Sequence, residues 1–365
     1  MSGSSPASAA FLQKAWNDLQ SDSKLALAVE EEAEKRTAEL LACVHKFNRT
    51  DFTRDIPEPN AVITIGSARL LDYGCDKANA PAILLIPSLI NRYYIMDLTK
   101  RLSFARYLRE HGIRVFIVDW GTPREQEYYL NCALYVTEVL VPMAEYIRRQ
   151  TTGSLAYGGY CMGGLLAMAL ACTRPELADK IAFFATPWDF LAPSFPRFAL
   201  EEPEIEELRK QLNARDTIPA EFIHLLFHYA NPCAFQNKLK DFAAMDPAAP
   251  ATQDFIAIEH WATDGIDMTR GVAHDCLINW TQYNQPAKGQ WHVGGRPVLP
   301  QELTIPSFVA IPKDDKIVPS DCALPLTAQL KNPTLIEPYS GHISMMAGRR
   351  RKSALWEPFR EWLVD

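Results

Sequence analysis

The sequence predicts an α/β fold in which a mostly parallel sheet carries helices on both faces. Three uninterrupted apolar runs are expected for strands buried on both sides: Ala82–Ile86, Val115–Val118 and Ile181–Ala185. Segments with helical patterning lie between and around them: Ser103–His111, Tyr135–Gln150 and Gly164–Cys172. This alternation is typical of successive strand–helix units, whose strands pair in parallel.

Length and composition suit one large catalytic domain with an insertion. The chain has 365 residues, of which 48% are hydrophobic and 22% charged. Its net charge of -7 argues against non-specific binding to nucleic acid, which needs a basic surface. No apolar run approaches the roughly 20 residues that span a bilayer, and the first residues lack the pattern of a signal peptide. We therefore expect a cytoplasmic protein without a transmembrane segment.

The eight cysteines are scattered and include no C-x-x-C pair. This spacing argues against a zinc site, and the missing export signal argues against a disulfide framework. Most of these cysteines are expected to be small buried apolar residues. We predict neither a metal nor a bound cofactor.

The predicted domain organisation has an N-terminal helical arm, 1–60, followed by a catalytic domain, 61–365. The arm is rich in Ala, Leu, Glu and Lys between Phe11 and Phe47, which favours one or two helices. It could pack on the catalytic domain or present a face to a partner protein, and both possibilities stay open.

The catalytic domain begins with a predicted hairpin and ends with further strand–helix units. The remaining predicted elements are strands Val62–Ile65, Ala68–Tyr73, Leu155–Tyr157, Ser307–Ile311 and Thr334–Ile336, and a final helix Ser353–Leu363. Between about 190 and 300 the sequence is rich in aromatic residues, prolines and histidines. We interpret this segment as an inserted cap over one end of the sheet.

The segment Gly159–Gly164 has the pattern G-x-C-x-G, between a short apolar stretch and a helix of small residues. This pattern is typical of a nucleophile elbow with sulfur in place of the usual hydroxyl, and it predicts an α/β-hydrolase fold. The nucleophile sits in a strained turn with positive φ, and flanking side chains would collide with the neighbouring strand and helix. Cys161 is therefore the candidate nucleophile.

Two backbone N–H groups are candidates for an oxyanion hole. Cys161 would lie at a helix N-terminus, which favours the thiolate and lets the N–H of Met162 stabilise an oxyanion. The second donor is expected in the loop after the strand Ala82–Ile86, where the N–H of Leu89 is the preferred candidate. The alternative for Leu89 is an ordinary strand–loop turn.

An acid and a histidine follow the nucleophile in the order expected for this fold. Asp315 lies in the loop after strand Ser307–Ile311, and His342 follows the strand near Leu335. Asp315 is preferred to Asp314 because it directly precedes the Lys316–Pro319 segment. We predict that His342 is the base and that Asp315 orients it.

Segments over most of residues 60–365, including the cysteine box, resemble those of polyhydroxyalkanoate synthases, especially the short class III type. The matching segments are Pro87–Tyr94, Val115–Gly121, Gly159–Gly164, Ala185–Phe190, Trp261 to Asp264, Asp315–Pro319 and Ser340–Ile343. Two positions depart from the family pattern. Lys316 stands where the family commonly has His, and the sequence after Trp261 lacks the usual further polar residues and Leu-Pro.

The resemblance implies an acyltransferase that polymerises 3-hydroxyacyl-coenzyme A through an acyl group on Cys161. Coenzyme A thioester would be the substrate, and a growing polyester chain or granule surface a partner. A homodimer and a second synthase subunit are also implied, as is location in the cytoplasm or at polyester granules. A Cys-dependent thioesterase, lactone hydrolase or polyester depolymerase is the alternative enzyme, and a non-catalytic granule-associated homologue is the third possibility.

Overall fold

The computed structural model describes residues 6–230 and 232–365. Within these ranges it describes the side chains of all residues except 6–12 and 227–237. Contacts between residues divide the chain into two compact units. The helical unit comprises Met1–Thr53 and Asn231–Ile256, and the main unit comprises Arg54–Ala230 and Ala257–Asp365.

Eight strands of the main unit form one sheet, and four two-residue strands form two small ladders. In chain order the strands are β1 (Asn60–Ile65), β2 (Ala68–Asp72), β3 (Ala82–Ile86), β4 (Arg114–Asp119), β5 (Leu155–Tyr160), β6 (Lys180–Phe184), β7 (Thr217–Ile218), β8 (Met268–Thr269), β9 (His292–Val293), β10 (Arg296–Pro297), β11 (Ser307–Ala310) and β12 (Thr334–Ile336).

The large sheet has the order β1-β2-β4-β3-β5-β6-β11-β12. The hairpin β1–β2 pairs antiparallel and joins β4 antiparallel, whereas β4, β3, β5, β6, β11 and β12 pair in parallel. Every residue of β3 is buried, as expected for a central strand covered on both faces. The predicted α/β fold with a mostly parallel sheet is confirmed.

Helices connect the strands and fill the insertion. They are α1 (Pro6–Ser21), α2 (Ser23–Phe47), α3 (Phe104–Glu110), α4 (Cys132–Leu134), α5 (Val141–Gln150), α6 (Met162–Thr173), α7 (Glu202–Asn213), α8 (Ala220–Ala230), α9 (Pro232–Ala243), α10 (Pro250–Thr263), α11 (Arg270–His274), α12 (Ser320–Gln329), α13 (His342–Ala347) and α14 (Glu357–Val364). A π-helical segment, Tyr135–Leu140, joins α4 to α5.

Helix α6 lies at the centre of the main unit. Its residues from Met162 to Ala171 are all buried, and two glycines and three alanines among the twelve residues let it approach the sheet closely. It contacts β3, β5 and β6, the strands around the middle of the sheet. The position of α6 therefore determines the position of Cys161, the residue that precedes it.

In the helical unit, α2 packs against α9. The rings of Phe47 and Phe242 meet edge to face at 5.7 Å, and Lys46 Nζ donates to the carbonyl of Ala243 at 2.9 Å. The segment predicted as one or two helices therefore forms two, α1 and α2. Residues 1–5 of the predicted arm lie outside the described residues.

The insertion follows β6 and ends before β11, so the sheet continues on both sides of it. Its main-unit part contains α7, α8, α11 and the β7–β8 ladder. No helix in the described part of the chain is long and apolar enough to cross a membrane.

Candidate active site

The strand order places a crevice between β3 and β5. The chain passes from β3 to β4 on one side of β3, and then returns to place β5 on the other side. Connections that leave two adjacent parallel strands in opposite directions open a crevice at the carboxyl ends of those strands. Cys161 follows β5 directly, at this edge of the sheet.

Cys161 forms a tight turn between β5 and α6. Its φ of 55° and ψ of -128° lie in a region that L residues rarely adopt, as expected for the nucleophile of an elbow. The N–H of Cys161 donates to the carbonyl of Phe184 on β6 at 2.8 Å. The turn is therefore held against the neighbouring strand, with the side chain at the N-terminus of α6.

The glycines of the box allow this close approach. A Cβ on Gly159 would lie 2.3 Å from Gly164 Cα, and one on Gly163 would lie 2.0 Å from the carbonyl oxygen of Ile86. Neither glycine has positive φ, so their role is steric and not conformational. The predicted collision with the adjoining strand and helix is therefore confirmed for both positions.

His342 and Asp315 form a buried hydrogen-bonded pair. Nδ1 of His342 lies 2.7 Å from Oδ2 of Asp315, and the two residues are only 7% and 4% exposed. The other carboxylate oxygen, Oδ1, accepts the N–H groups of Ile317 and Val318, both at 2.8 Å. Asp315 is thus fixed by its own loop, and its second oxygen is directed at the imidazole.

The surroundings of His342 favour its protonated form. Burial lowers the pKa of the imidazole, but the charges of Asp315 and Cys161 and side-chain hydrogen bonds to both outweigh burial and raise the pKa from 6.5 to about 10. Because Nδ1 is engaged by Asp315, Nε2 is the nitrogen available to Cys161. A raised pKa makes the imidazole a stronger proton acceptor.

The pKa of His342 should fall when Cys161 becomes serine. The substitution removes a negative charge that raises this pKa, while Asp315 remains. In the wild-type protein, the raised pKa of His342 stabilises the folded state. This contribution is complete below pH 6.5 and is lost as the pH rises through about 10. Imidazole proton signals, followed by NMR against pH, would measure the shift. His274, whose pKa is lowered by burial, is the internal reference; identical His342 titrations in both proteins would contradict the coupling.

The two predicted oxyanion donors lie on segments that meet at the elbow. Met162 is the first residue of α6, and Leu89 is buried in the loop after β3. The Gly163 backbone touches the start of that loop, at Ile86 and Pro87. The structure therefore brings the loop of Leu89 to the beginning of α6.

Tyr160 is a site residue that the sequence did not single out. Its hydroxyl donates to the backbone carbonyl of His342 at 3.3 Å, and its ring lies 5.2 Å from the imidazole ring, centroid to centroid. It therefore supports His342 from the strand that carries Cys161. The residue between Gly159 and Cys161 is unspecified in the G-x-C-x-G motif, so the motif does not predict this contact.

The chain belongs to the α/β-hydrolase family. The family model described as alpha/beta hydrolase fold matches residues 81–348. This match covers the elbow and the loops of Asp315 and His342.

Curated relatives are poly(3-hydroxyalkanoate) polymerase subunits. The chain is 25% identical over 287 residues to the subunit of Haloferax mediterranei, with 78% of this chain and 58% of that protein covered. It is 26% identical over 297 residues to the subunit of Haloarcula marismortui, with 80% and 62% covered. The matches thus span about three fifths of those relatives. The resemblance to polyhydroxyalkanoate synthases is confirmed.

A solved monoacylglycerol lipase of Paleococcus ferrophilus has the same fold. The TM-score is 0.53 at 14% sequence identity, with 81% of this chain and 98% of the lipase covered. Similarity at this level supports the fold assignment alone.

Proposed function

We propose that this protein is an acyltransferase that polymerises 3-hydroxyacyl-coenzyme A into polyhydroxyalkanoate and releases coenzyme A. The observation that carries the proposal is a cysteine in a strained strand–helix turn, beside a buried His342–Asp315 pair. The names of the curated relatives support the same activity. In this proposal the chemistry is done by side chains and backbone N–H groups, with the coenzyme A thioester as substrate.

In the first step, Cys161 takes the acyl group. His342 accepts the proton of the Cys161 thiol, and the thiolate attacks the carbonyl carbon of the substrate. The N–H groups of Met162 and Leu89 would stabilise the resulting oxyanion. The carbon–sulfur bond to coenzyme A then breaks, and His342 returns the proton to the leaving thiolate. One thioester replaces another, so the acyl group keeps its transfer potential.

In the second step, a hydroxyl group removes the acyl group from Cys161. His342 accepts the proton of the 3-hydroxyl of a chain end or second monomer, and the oxygen attacks the acyl-cysteine. An ester bond forms, the bond to sulfur breaks, and Cys161 recovers its proton. Water must be kept out for polymer to grow, and the insertion after β6 would provide that cover. A homodimer, a second synthase subunit and association with granules, which the family resemblance implies, are also parts of this proposal.

The products formed from 3-hydroxybutyryl-coenzyme A would test the proposal. We expect release of coenzyme A with formation of an insoluble polyester, measured by thiol titration and by the mass of the recovered polymer. The assay is run with and without a class III partner subunit. Release with free 3-hydroxybutyrate and no polymer would favour the hydrolase alternative, and no release in either condition would overturn both enzyme functions.

A further inference from the structure

The loop that carries Leu89 is bound by hydrogen bonds to one segment of the insertion. This contact involves a group of side chains that we call the Asp264 cluster: Asn91, Arg92, Tyr94, Trp261 and Asp264. All five belong to the main unit. None of them contributes a group to the two-step reaction proposed above, so their arrangement needs a separate explanation.

The backbones of the two segments pair over a short distance. Ile266 N–H donates to the carbonyl of Ile90 at 2.8 Å, and Arg92 N–H donates to the carbonyl of Asp264 at 3.3 Å. Asn91 and Gly265 form an antiparallel bridge between these two bonds. The carbonyl of Ile90, one residue after Leu89, is therefore fixed by the insertion.

The side chains of the cluster strengthen this pairing. The hydroxyl of Tyr94 donates to Oδ2 of Asp264 at 2.6 Å, and Arg92 Nε lies 3.4 Å from Oδ1 of the same carboxylate. Nε1 of Trp261 donates to the carbonyl of Arg92 at 2.7 Å. Burial and the bond to Asp264 raise the pKa of Tyr94, so its hydroxyl stays a donor across the physiological range. Asp264 thus receives donors from two residues of one chain segment.

The other end of the Leu89 loop is fixed by Trp120, which follows β4, and by the elbow. Nε1 of Trp120 donates to the carbonyl of Pro87 at 3.2 Å, and the backbone of Gly163 lies against Ile86 and Pro87. The N–H of Ile90 donates to Oγ of Ser88 at 3.1 Å, which closes the turn. Leu89 therefore lies between an anchor on the elbow and an anchor on the insertion.

We propose that Asp264 is a positioning residue, which acts through Arg92 and Tyr94 to hold the N–H of Leu89 where an oxyanion forms. The inference rests on the proposed function, because it gives the Leu89 N–H the oxyanion role assigned there. It makes the insertion a contributor to acyl transfer as well as a cover. A donor that is displaced by part of an ångström loses much of its effect on the transition state, because its value depends on preorganisation.

Two reactions of Cys161 separate positioning from general damage. With p-nitrophenyl acetate, the thiolate attacks the acetyl carbon, an oxyanion forms, and p-nitrophenolate leaves. With iodoacetamide, the same thiolate displaces iodide from a methylene carbon, and no oxyanion forms. Loss of an oxyanion donor should therefore slow acetylation and spare alkylation.

The test compares both rates in Asp264→Asn and Tyr94→Phe proteins, by mass spectrometry of the Cys161 peptide. In Asp264→Asn we expect acetylation to fall at least about tenfold, a part of the roughly 10²–10³ that loss of a complete donor costs. Alkylation should stay within about twofold. Tyr94→Phe should give a smaller loss of the same kind, and it carries the test if Asp264→Asn does not fold. Asp72→Asn is the matched control, because it weakens the Arg114–Asp72 ion pair at the opposite edge of the sheet.

Three results would overturn the inference: unchanged acetylation in folded variants, equal loss of acetylation and alkylation, or an equal loss in Asp72→Asn. The inference also fails if the wild-type protein acetylates Cys161 no faster than the Asp264→Asn protein. These outcomes are distinct from a failure of the proposed function. Absence of coenzyme A release from 3-hydroxybutyryl-coenzyme A would remove the polymerase proposal, whereas the comparison with p-nitrophenyl acetate would still decide the role of Asp264.

Discussion

Substitution of Cys161 by serine is expected to lower coenzyme A release from 3-hydroxybutyryl-coenzyme A by on the order of 10³-fold or more. A serine would keep the turn and the helix N-terminus, but its hydroxyl would be far harder to deprotonate than a thiol. The acyl-oxygen ester that it formed would also lose the transfer potential of the thioester. Single-turnover release of coenzyme A, measured by thiol titration after rapid quenching, gives the rate.

The variants Cys161→Ala and Cys75→Ser define the limits of this experiment. Cys161→Ala has no nucleophile and should release no coenzyme A above background. Cys75 is a free cysteine in the segment after β2, beside Arg114 at the far edge of the sheet, and its replacement by serine should leave the rate unchanged. Coenzyme A release that survives in the Cys161→Ala protein would refute the nucleophile assignment.

The buried strands were predictable because their apolar runs are continuous. β3 occupies the predicted Ala82–Ile86, and β11 the predicted strand less its last residue. β5, in contrast, continues three residues beyond the predicted Leu155–Tyr157. Its added residues include Gly158 and Gly159, which have low strand propensity but pair with Leu85 and Ile86 of β3. Pairing between neighbouring strands therefore overrides local preference at this point.

The helix before β5 shows a different limit of prediction. The pattern predicts a helix over Tyr135–Gln150, but helical structure begins at Cys132 and passes through a π-helical segment, Tyr135–Leu140. Pro142 follows that segment and cannot donate to the preceding turn. A π-helical segment in front of a proline accommodates the missing donor, and hydrophobic periodicity does not reveal such a change in winding.

The order of the candidate site residues could be predicted, whereas their supporting contacts could not. The sequence spacing places Cys161, Asp315 and His342 after strands whose carboxyl ends share one edge of the sheet. It says nothing about Tyr160 beneath His342, or about Asp264 opposite Tyr94. Asp264 and Tyr94 are 170 positions apart, and only the path of the insertion brings them together. Contacts of this kind depend on tertiary structure and have no local sequence signal.

Substitution of Asp315 by asparagine should lower acyl transfer by about 10⁴-fold near neutral pH, the loss known for the equivalent change in a Ser-His-Asp site. The two oxygens of Asp315 have different tasks. Oδ1 accepts two backbone N–H groups, from Ile317 and Val318, and only an oxygen can do so. In the variant the amide oxygen should therefore take that position, which turns the NH₂ group towards His342.

The consequence is a reversal of the hydrogen bond to His342. An NH₂ group donates, so Nδ1 of the imidazole must accept, and the proton moves to Nε2. A neutral His342 in this tautomer cannot take the proton of Cys161. The charge of Asp315, which raises the pKa of His342, is lost as well, so the imidazolium becomes less stable. Single-turnover release of coenzyme A would measure the loss, and the activity should recover in part as the pH rises and the thiol ionises without help.

The adjacent residue supplies the control for this prediction. Asp314 is exposed, and its contact with the His342 loop is made by its backbone N–H, which donates to the carbonyl of Ser340 at 3.1 Å. Asp314→Asn keeps that bond and should change the rate by less than about twofold. Equal losses in Asp314→Asn and Asp315→Asn would point to damage of the loop as a whole. A loss confined to Asp314→Asn would transfer the orienting role to Asp314, against the hydrogen bond of 2.7 Å between Asp315 and His342.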